Sequence, residues 1–374
     1  MVGGQAASIH FSGSRHAAMA TRAGSGDMTL LERIQCLDAT RHPEASEYAT
    51  LCMDFNIVGP IQKSFFQKTF LDVATPFAGQ LFGYDWSGEE KRKTGIGVGN
   101  IIRLDVLLAH MSSDANDKVK RDSEKLDEIA DYFVKVGIMS KRHEDRYPVV
   151  SLGPIRRGLN CPSNEGRLIA TIDRNLAPFF GIDSVGVHLL CYVKGGKQIN
   201  KDGNTCRPNV SLWMAQRSAA KSSFPNKWDP TVAGGQPHAL SLFENLMKEA
   251  NEEAGLSSEM SRQATSTGCL SQMTSRADGS CMKYSKYYVW DLDVAKGFRP
   301  YPQDGEVQRF ELWDTETLLH ELKEGDRLRP AMRLVVADFL IRHGIITPDN
   351  EPQLAEIQAA MHQERLTLAH LPSL

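Results

Sequence analysis

Three carboxylates stand close together in one stretch of the chain: Glu249, Glu252 and Glu253. Spacings of three and four put them on one side of a helix. The surrounding residues 234–256 read GGQPHALSLFENLMKEANEEAGL. A Gly-Gly-Gln-Pro turn leads in, and Gly255 stops the helix. Leu240, Phe243, Met247, Ala250 and Ala254 fall on roughly the opposite face. The spacing therefore predicts a helix with an apolar side to bury and an acidic side to present. Like charges so arranged cost an isolated helix about a few tenths of a kcal/mol per pair. A divalent cation reverses that sign. Hard Mg²⁺ takes oxygen ligands and commonly combines one or two carboxylates with substrate phosphates. The bland alternative is a solvated acidic face. The double glycine before the helix and Gly255 after it weigh against that alternative.

These residues resemble the box of the Nudix hydrolase family, G-x5-E-x7-R-E-U-x-E-E-x-G-U with U apolar. Gly234 opens it, Lys248-Glu249-Ala250 stands for R-E-U, and Glu252-Glu253-Ala254-Gly255-Leu256 for E-E-x-G-U. The chain departs from the box twice. Leu240 replaces the first glutamate and Lys248 the arginine. Leu240 removes a polar contact near the turn, and Lys248 keeps the charge without the planar fork. The E-x-x-E-E group is whole. The resemblance implies an α/β/α sandwich around a mixed sheet, and Mg²⁺ (or Mn²⁺) as cofactor. It also implies Glu249, Glu252 and Glu253 as metal ligands. Such a site hydrolyses a phosphoanhydride: the metal neutralises phosphate oxygens and acidifies a bound water. The general base is one of Glu252, Glu253 or Glu306. Backbone N–H groups of Gly234 and Gly235 are expected beside phosphate. Leu240 leaves a second class open, a diphosphate-binding protein without catalysis.

Composition narrows the field. At 374 residues the chain is long enough for two domains, and its apolar (41%) and charged (24%) shares are those of a soluble globular protein. A net charge of -3 gives no reason to expect a nucleic-acid or membrane surface. No apolar run approaches the roughly 20 residues of a membrane span. The seven cysteines form no CxxC pair, which suggests a reducing compartment and neither zinc site nor disulfide framework.

Four segments follow from patterning. Residues 1–28 hold Arg15, Arg22, His10 and His16, with no acidic residue before Asp27. They read equally as a disordered tail or as a transit peptide for mitochondrion or plastid; without targeting, the cytoplasm is expected. Residues 29–182 read as a smaller α+β N-terminal domain. Its elements are a helix from Leu30, a short one from His42, a strand over 55–61, a helix over 61–74 and a charged helix over 114–136. The last has Leu126, Ile129, Ala130 and Phe133 as its buried stripe. Gly95, Gly97 and Gly99 lack the dinucleotide fingerprint and read as a turn or strand crossing. Residues 170–193 combine a helix, a Phe-Phe-Gly stop and a strand over 185–193.

Residues 183–348 carry the Nudix-like stretch, and 349–374 a tail with another helix. Strands are expected over 210–216, 265–274, 286–294 and 310–313, and helices over 315–322 and 330–343 with Gly344 as the stop. His188, alone on a strand, reads as a packed, hydrogen-bonded residue. Arg217 and Lys221 bring positive charge toward the acidic helix, where cations would meet substrate phosphate; surface solvation is the equal alternative. Trp228 reads as loop packing. Asp304-Gly305-Glu306-Val307 is a turn that by resemblance offers Glu306 as an extra ligand or base.

Residues 173–186 and 212–256 are similar to one Nudix branch in particular. Its N-terminal domain also occurs fused to thiamin pyrophosphokinase in some fungi, and plant chloroplast and yeast relatives lack the kinase. The chain ends soon after the Nudix-like stretch, so the kinase is expected to be absent. The branch implies a small-molecule diphosphate partner, oxidised or damaged thiamin diphosphate, cleaved to the monophosphate as metabolite repair. The alternative substrate is a nucleoside diphosphate such as ADP-ribose or a dinucleotide.

Overall fold

The computed structural model describes residues 28–35, 40–41, 48–53, 56–66, 82–84, 101–103, 115–152, 167–196, 198–199, 206–276 and 281–364. The expected N-terminal tail, the short helix at His42, most of the helix over 61–74 and the glycines at 95–99 lie outside them.

The first part of the chain contributes α1 (Leu30–Gln35), β1 (Thr40–Arg41), β2 (Tyr48–Met53), β3 (Asn56–Gln62), α2 (Lys63–Phe66), β4 (Phe82–Tyr84), β5 (Ile101–Arg103), α3 (Ala115–Lys135), β6 (Arg146–Val150) and β7 (Leu168–Asp173). A four-stranded sheet runs β3-β2-β5-β4, and β6 pairs with β7 as a separate antiparallel ribbon. The stripe read from the sequence is the buried one: Leu126, Ile129, Ala130 and Phe133 of α3 pack with Phe65, Tyr147, Ile172 and Phe179. Phe133 meets Phe65 and Phe179 edge-on, at 5.7 and 5.5 Å between centroids. Such pairs add about 0.5–1.5 kcal/mol beyond burial.

The segment from residue 170 differs from its expected helix. Residues 168–173 extend as β7, and only Ala177–Phe180 coil, as one 3-10 turn ended by Gly181 at φ 61°. Ile169, Ala170 and Ile172 point into the core opposite β6, and this tertiary pairing outweighs local helix propensity. At Gly181 a side chain would run into the Pro60 carbonyl.

The second part holds β8 (Ser184–Lys194), β9 (Gln198–Ile199), β10 (Cys206–Arg207), β11 (Val210–Arg217), β12 (Trp228–Pro230), β13 (Val232–Gly235), α4 (Leu242–Ala254), α5 (Ser258–Ser261), β14 (Thr265–Arg276), β15 (Met282–Asp293), β16 (Val307–Trp313), α6 (Thr315–Lys323), α7 (Pro330–Arg342) and α8 (Leu354–Ala360). A mixed sheet runs β1-β14-β15-β8-β11-β12, with β13 also on β8 and β16 on β11. The β15–β8 pair is parallel and the rest are antiparallel. Central β8 is buried on both sides, which suits its near-continuous apolar run. Its Val187, Leu189, Cys191 and Val193 pack under Leu246, Ala250 and Ala254 of α4. Leu190 and Tyr192 face Leu334, Val335, Phe339 and Leu340 of α7, joined by Leu30 and Ile34 of α1. Helices thus cover both faces of the sheet, an α/β architecture. Trp228 is no loop residue: it opens β12, is 2% exposed, and its ring sits 5.1 Å from that of Trp313.

Candidate active site

The acidic helix starts later than its glycines suggest. Ser241 is the N-cap of α4, and Ser241 and Glu244 form a reciprocal capping box. Leu240, at the place of the first box glutamate, therefore lies in the turn before the helix. Its carbonyl accepts from Gln236 Nε2 at 2.5 Å. Gly255 ends the helix at φ 68°, and its N–H and that of Leu256 close the final carbonyls.

The carboxylates do not share one open face. Asn245, Glu249 and Glu253 follow one another at i, i+4 and i+8 and point at β13. Asn245 is fully buried and Glu253 only 6% exposed, whereas Glu252 leans out to solvent. The apolar face is centred on Leu246, Ala250 and Ala254, with Phe243 and Met247 only partly covered. The expected division into an apolar side and an acidic side is corrected accordingly: the stripe of Asn245, Glu249 and Glu253 borders the core.

Strand β13 makes room for this stripe. A side chain on Gly234 would lie 2.9 Å from Glu249 Oε2 and would overlap the rest of that carboxylate. Ala233 N–H donates to Glu253 Oε2 at 2.8 Å, and Asn245 Nδ2 donates to the Gly235 carbonyl at 2.9 Å. Asn245 Oδ1, buried, accepts no hydrogen bond among the described residues.

Burial, then the charge of Glu249, lifts Glu253 to about 8; the Ala233 N–H opposes that rise only in part. Glu249 is raised too, by burial first and by Glu252 and Glu306, against the pull of Lys248. Burial and mutual repulsion thus disfavour ionising Glu249 and Glu253 together. Lys248 Nζ offsets part of that repulsion, 2.6 Å from Glu252 and 3.3 Å from Glu249. Two adjacent carboxylates and an amide oxygen with no hydrogen-bond partner among the described residues are oxygen donors that fit a hard divalent ion, and Lys248 now supplies the positive charge beside them. No group of three or more acidic, histidine or cysteine side chains is drawn together at metal-holding distance among the described residues. A single ion held by Glu249, Glu252 and Glu253 together would require these side chains to move closer than they stand here.

Glu306 follows the expected turn, with Gly305 at φ 79° and its own N–H on Asp304. Its charge acts on both Glu249 and Glu253, and its carboxylate pairs with Lys221. Arg217 is occupied elsewhere. It pairs with buried Asp229 at 2.9 Å and donates to the carbonyls of Ser223 and Phe224, while Arg329 takes the other oxygen of Asp229 at 2.5 Å. His188 is packed, 5.5 Å from the Tyr287 ring, but among the described residues its Nδ1 has no hydrogen-bond partner. Burial and the charge of Arg329 hold it neutral, down to about 3.

Two neighbours escaped the sequence reading. Asn245 was legible as the residue one turn before Glu249. Arg174 was not, because it arrives from the turn after β7, some sixty positions away. Its Nη1 lies 2.7 Å from where a Gly235 side chain would stand.

No protein-family model matches the chain. Nudix hydrolase 24, chloroplastic, of Arabidopsis thaliana is 35% identical over 199 residues, which is 53% of this chain and 50% of that protein. Nudix hydrolase 20, chloroplastic, of the same plant is 32% identical over 242 residues, 60% of each. The likeness is to Nudix hydrolases. An uncharacterized Saccharomyces cerevisiae protein, YJR142W, is 33% identical over 202 residues, 51% of this chain and 56% of its own. The chain spans about half to three fifths of the length of the curated relatives it matches. These relatives support the Nudix family for the chain. No described helix is long and apolar enough to cross a membrane.

Proposed function

We propose that the protein is a Mg²⁺-dependent Nudix pyrophosphohydrolase. The observation that carries the reading is the pair of crowded carboxylates, Glu249 and Glu253, pressed against a strand end without side chains. Such a pair is unfavourable alone and favourable around a divalent cation. Glu249, Glu252 and Glu253 would hold the ion, with Mn²⁺ as an alternative. Bound there, it supplies neutralisation of phosphate charge and acidification of a water.

The chain's own groups divide the remaining work. The space beside the bare backbone at Gly234 and Gly235 is filled by the Glu249 carboxylate and the Arg174 guanidinium, so phosphate would meet these side chains and not the glycine N–H groups. Glu253, held in place by Ala233 N–H, or Glu252 or Glu306, takes the proton of the attacking water. Lys221 lies with Glu306 and is available to a phosphate oxygen once that pair opens. Arg217 would reach substrate only by leaving Asp229, so its contribution is to hold the β11–β12 edge in place. The domain division proposed is an N-terminal unit over 29–182, a Nudix unit over 183–348 and flanking segments at 1–28 and 349–374.

For the substrate we propose oxidised or damaged thiamin diphosphate, cleaved to the monophosphate. The likeness of residues 173–186 and 212–256 to the thiamin-linked branch supports it. A nucleoside diphosphate such as ADP-ribose is the second reading. The word chloroplastic in the names of both plant relatives favours a plastid address, which a fluorescent fusion would test. A substrate panel with Mg²⁺, repeated with EDTA, tests the activity. A preference for oxidised thiamin diphosphate of at least about tenfold in kcat/KM, roughly 1.4 kcal/mol, is expected. Equal turnover of ADP-ribose would reject thiamin. Phosphate release unchanged in Glu252→Gln and Glu253→Gln would leave a diphosphate-binding protein without catalysis.

A further inference from the structure

The N-terminal unit reaches the glycine bend with one arginine. The β6–β7 ribbon docks on the loop after β13: His238 N–H donates to the Arg146 carbonyl at 3.0 Å, and Gln236 N–H to the Val185 carbonyl of β8 at 2.9 Å. The turn after β7 is anchored by Asp173, which is fully buried. Asp173 accepts from Arg142 Nε at 2.8 Å and from the N–H groups of His143 and Asn175 at 2.9 and 2.7 Å. The next residue, Arg174, is thereby aimed at Gly235. Its Nη1, Cζ and Nη2 lie 2.7, 2.8 and 3.0 Å from the position a Gly235 side chain would take. Nη1 pairs with Asp145 at 3.0 Å, and the guanidinium stands 5.8 Å from the Tyr147 ring. Among the described residues its Nε and Nη2 make no hydrogen bond.

Successive strand residues face opposite ways. Gly234 faces Glu249 and Gly235 faces Arg174. The end of β13 is therefore a bare strip with carboxylates on one side and a guanidinium on the other. A second cation stands nearby. Lys283 on β15 is open to solvent and has no acidic partner among the described residues. Arg174 and Arg329 lie close enough for their positive charges to act on it. Asp145 and Asp229 neutralise Arg174 and Arg329, while Lys283, unpaired among the described residues, adds a positive charge that favours an anion nearby.

We infer that Arg174 is a substrate-positioning residue: its free guanidinium edge holds a non-bridging oxygen of the diphosphate at the end of β13, so that the N-terminal unit completes the site. This rests on the diphosphate reading above, and it adds a charge-assisted contact from outside the Nudix box. Arg174 contributes binding and orientation; it moves no proton.

Inorganic pyrophosphate with Mg²⁺ is the probe, measured by calorimetry and as an inhibitor, on wild type, Arg174→Gln and Arg174→Lys. Arg174→Gln is expected to weaken pyrophosphate by about tenfold, the usual scale for one charge-assisted hydrogen bond. KM should rise by a similar factor while kcat changes less, and Mn²⁺ affinity without pyrophosphate should stay the same. Arg174→Lys should recover part of the loss. If the unpaired Asp145 destabilises the single variant, Arg174→Gln with Asp145→Asn removes the pair together and carries the same expectation. Wild-type pyrophosphate affinity and KM in a folded Arg174→Gln or double variant would overturn the inference and leave the hydrolase reading standing. A wild type that hydrolyses no diphosphate, yet binds pyrophosphate through Arg174, would end the hydrolase reading and keep the inference.

Discussion

Replacing Glu253 by Gln separates charge from shape at the centre of the site. The amide keeps the length of the side chain and an oxygen for the Ala233 N–H, so the helix and strand should stay together. What it removes is a carboxylate lifted from 4.5 to about 8 by burial and by Glu249. Folding raises this group's affinity for a proton, so between those two values the folded state holds more protons than the unfolded chain. Stability from Glu253 is therefore full below about pH 4.5 and declines as pH rises to about 8. At about 1.4 kcal/mol per pH unit the ceiling is on the order of 5 kcal/mol, and water reaching the ionised group reduces it to a working figure of about 2–3 kcal/mol. The metal-free Gln variant should thus melt higher than wild type at pH 8–9, by roughly 5 °C or more. Mg²⁺ should narrow the gap, because the ion binds the ionised carboxylate and takes the place of the proton. The assay is thermal melting from pH 5 to 9, with EDTA and with Mg²⁺, alongside kcat/KM, which should fall by about 100-fold or more in Gln. Parallel pH–Tm curves for the two proteins, with equal gains from Mg²⁺, would refute the crowded-carboxylate account.

Three other substitutions test neighbouring parts. Lys248→Gln removes the cation shared by Glu249 and Glu252; without metal it should cost about 0.3–1 kcal/mol in denaturant melts, and Mg²⁺ should erase most of that cost. Gly234→Ala sets a methyl group against Glu249; Mn²⁺ affinity followed by electron paramagnetic resonance should fall by about tenfold or more, since outer contacts that orient ligands matter on that scale. Asp229→Asn leaves Arg217 and Arg329 facing each other without their shared anion and should cost about 3–5 kcal/mol in urea. If the Asn protein is as stable as wild type, Arg217 is not structural and its role at the substrate returns.

Much of the second sheet was legible in the sequence. The apolar runs at 185–193 and 210–216 became β8 and β11 with one or two residues added at the ends, because strands buried on both faces leave an unbroken apolar signature. The capped helices over 315–322 and 330–343 likewise follow local rules. The misreadings share a cause. Residues 168–173 have no strong period of their own and became strand through β6. Trp228 lies two residues before a proline, yet its ring is claimed by Trp313 of β16, a strand more than eighty positions later that pairs with the same β11.

At the site, the sequence by itself determined which atoms are available: a carboxylate-rich helix, two glycines before it and a glycine stop after it. Chain order is enough for this, because helical periodicity and backbone freedom are local properties. Only the tertiary structure decided how those atoms differ. Packing of α4 on β8 and β13 buried Glu253, largely covered Glu249 and left Glu252 to Lys248, so three similar side chains came to differ in burial and partners. Packing also brought Arg174 to Gly235 from the turn after β7, far earlier in the chain. Burial and long-range approach depend on what lies across from a residue in space, and no spacing along the chain encodes that.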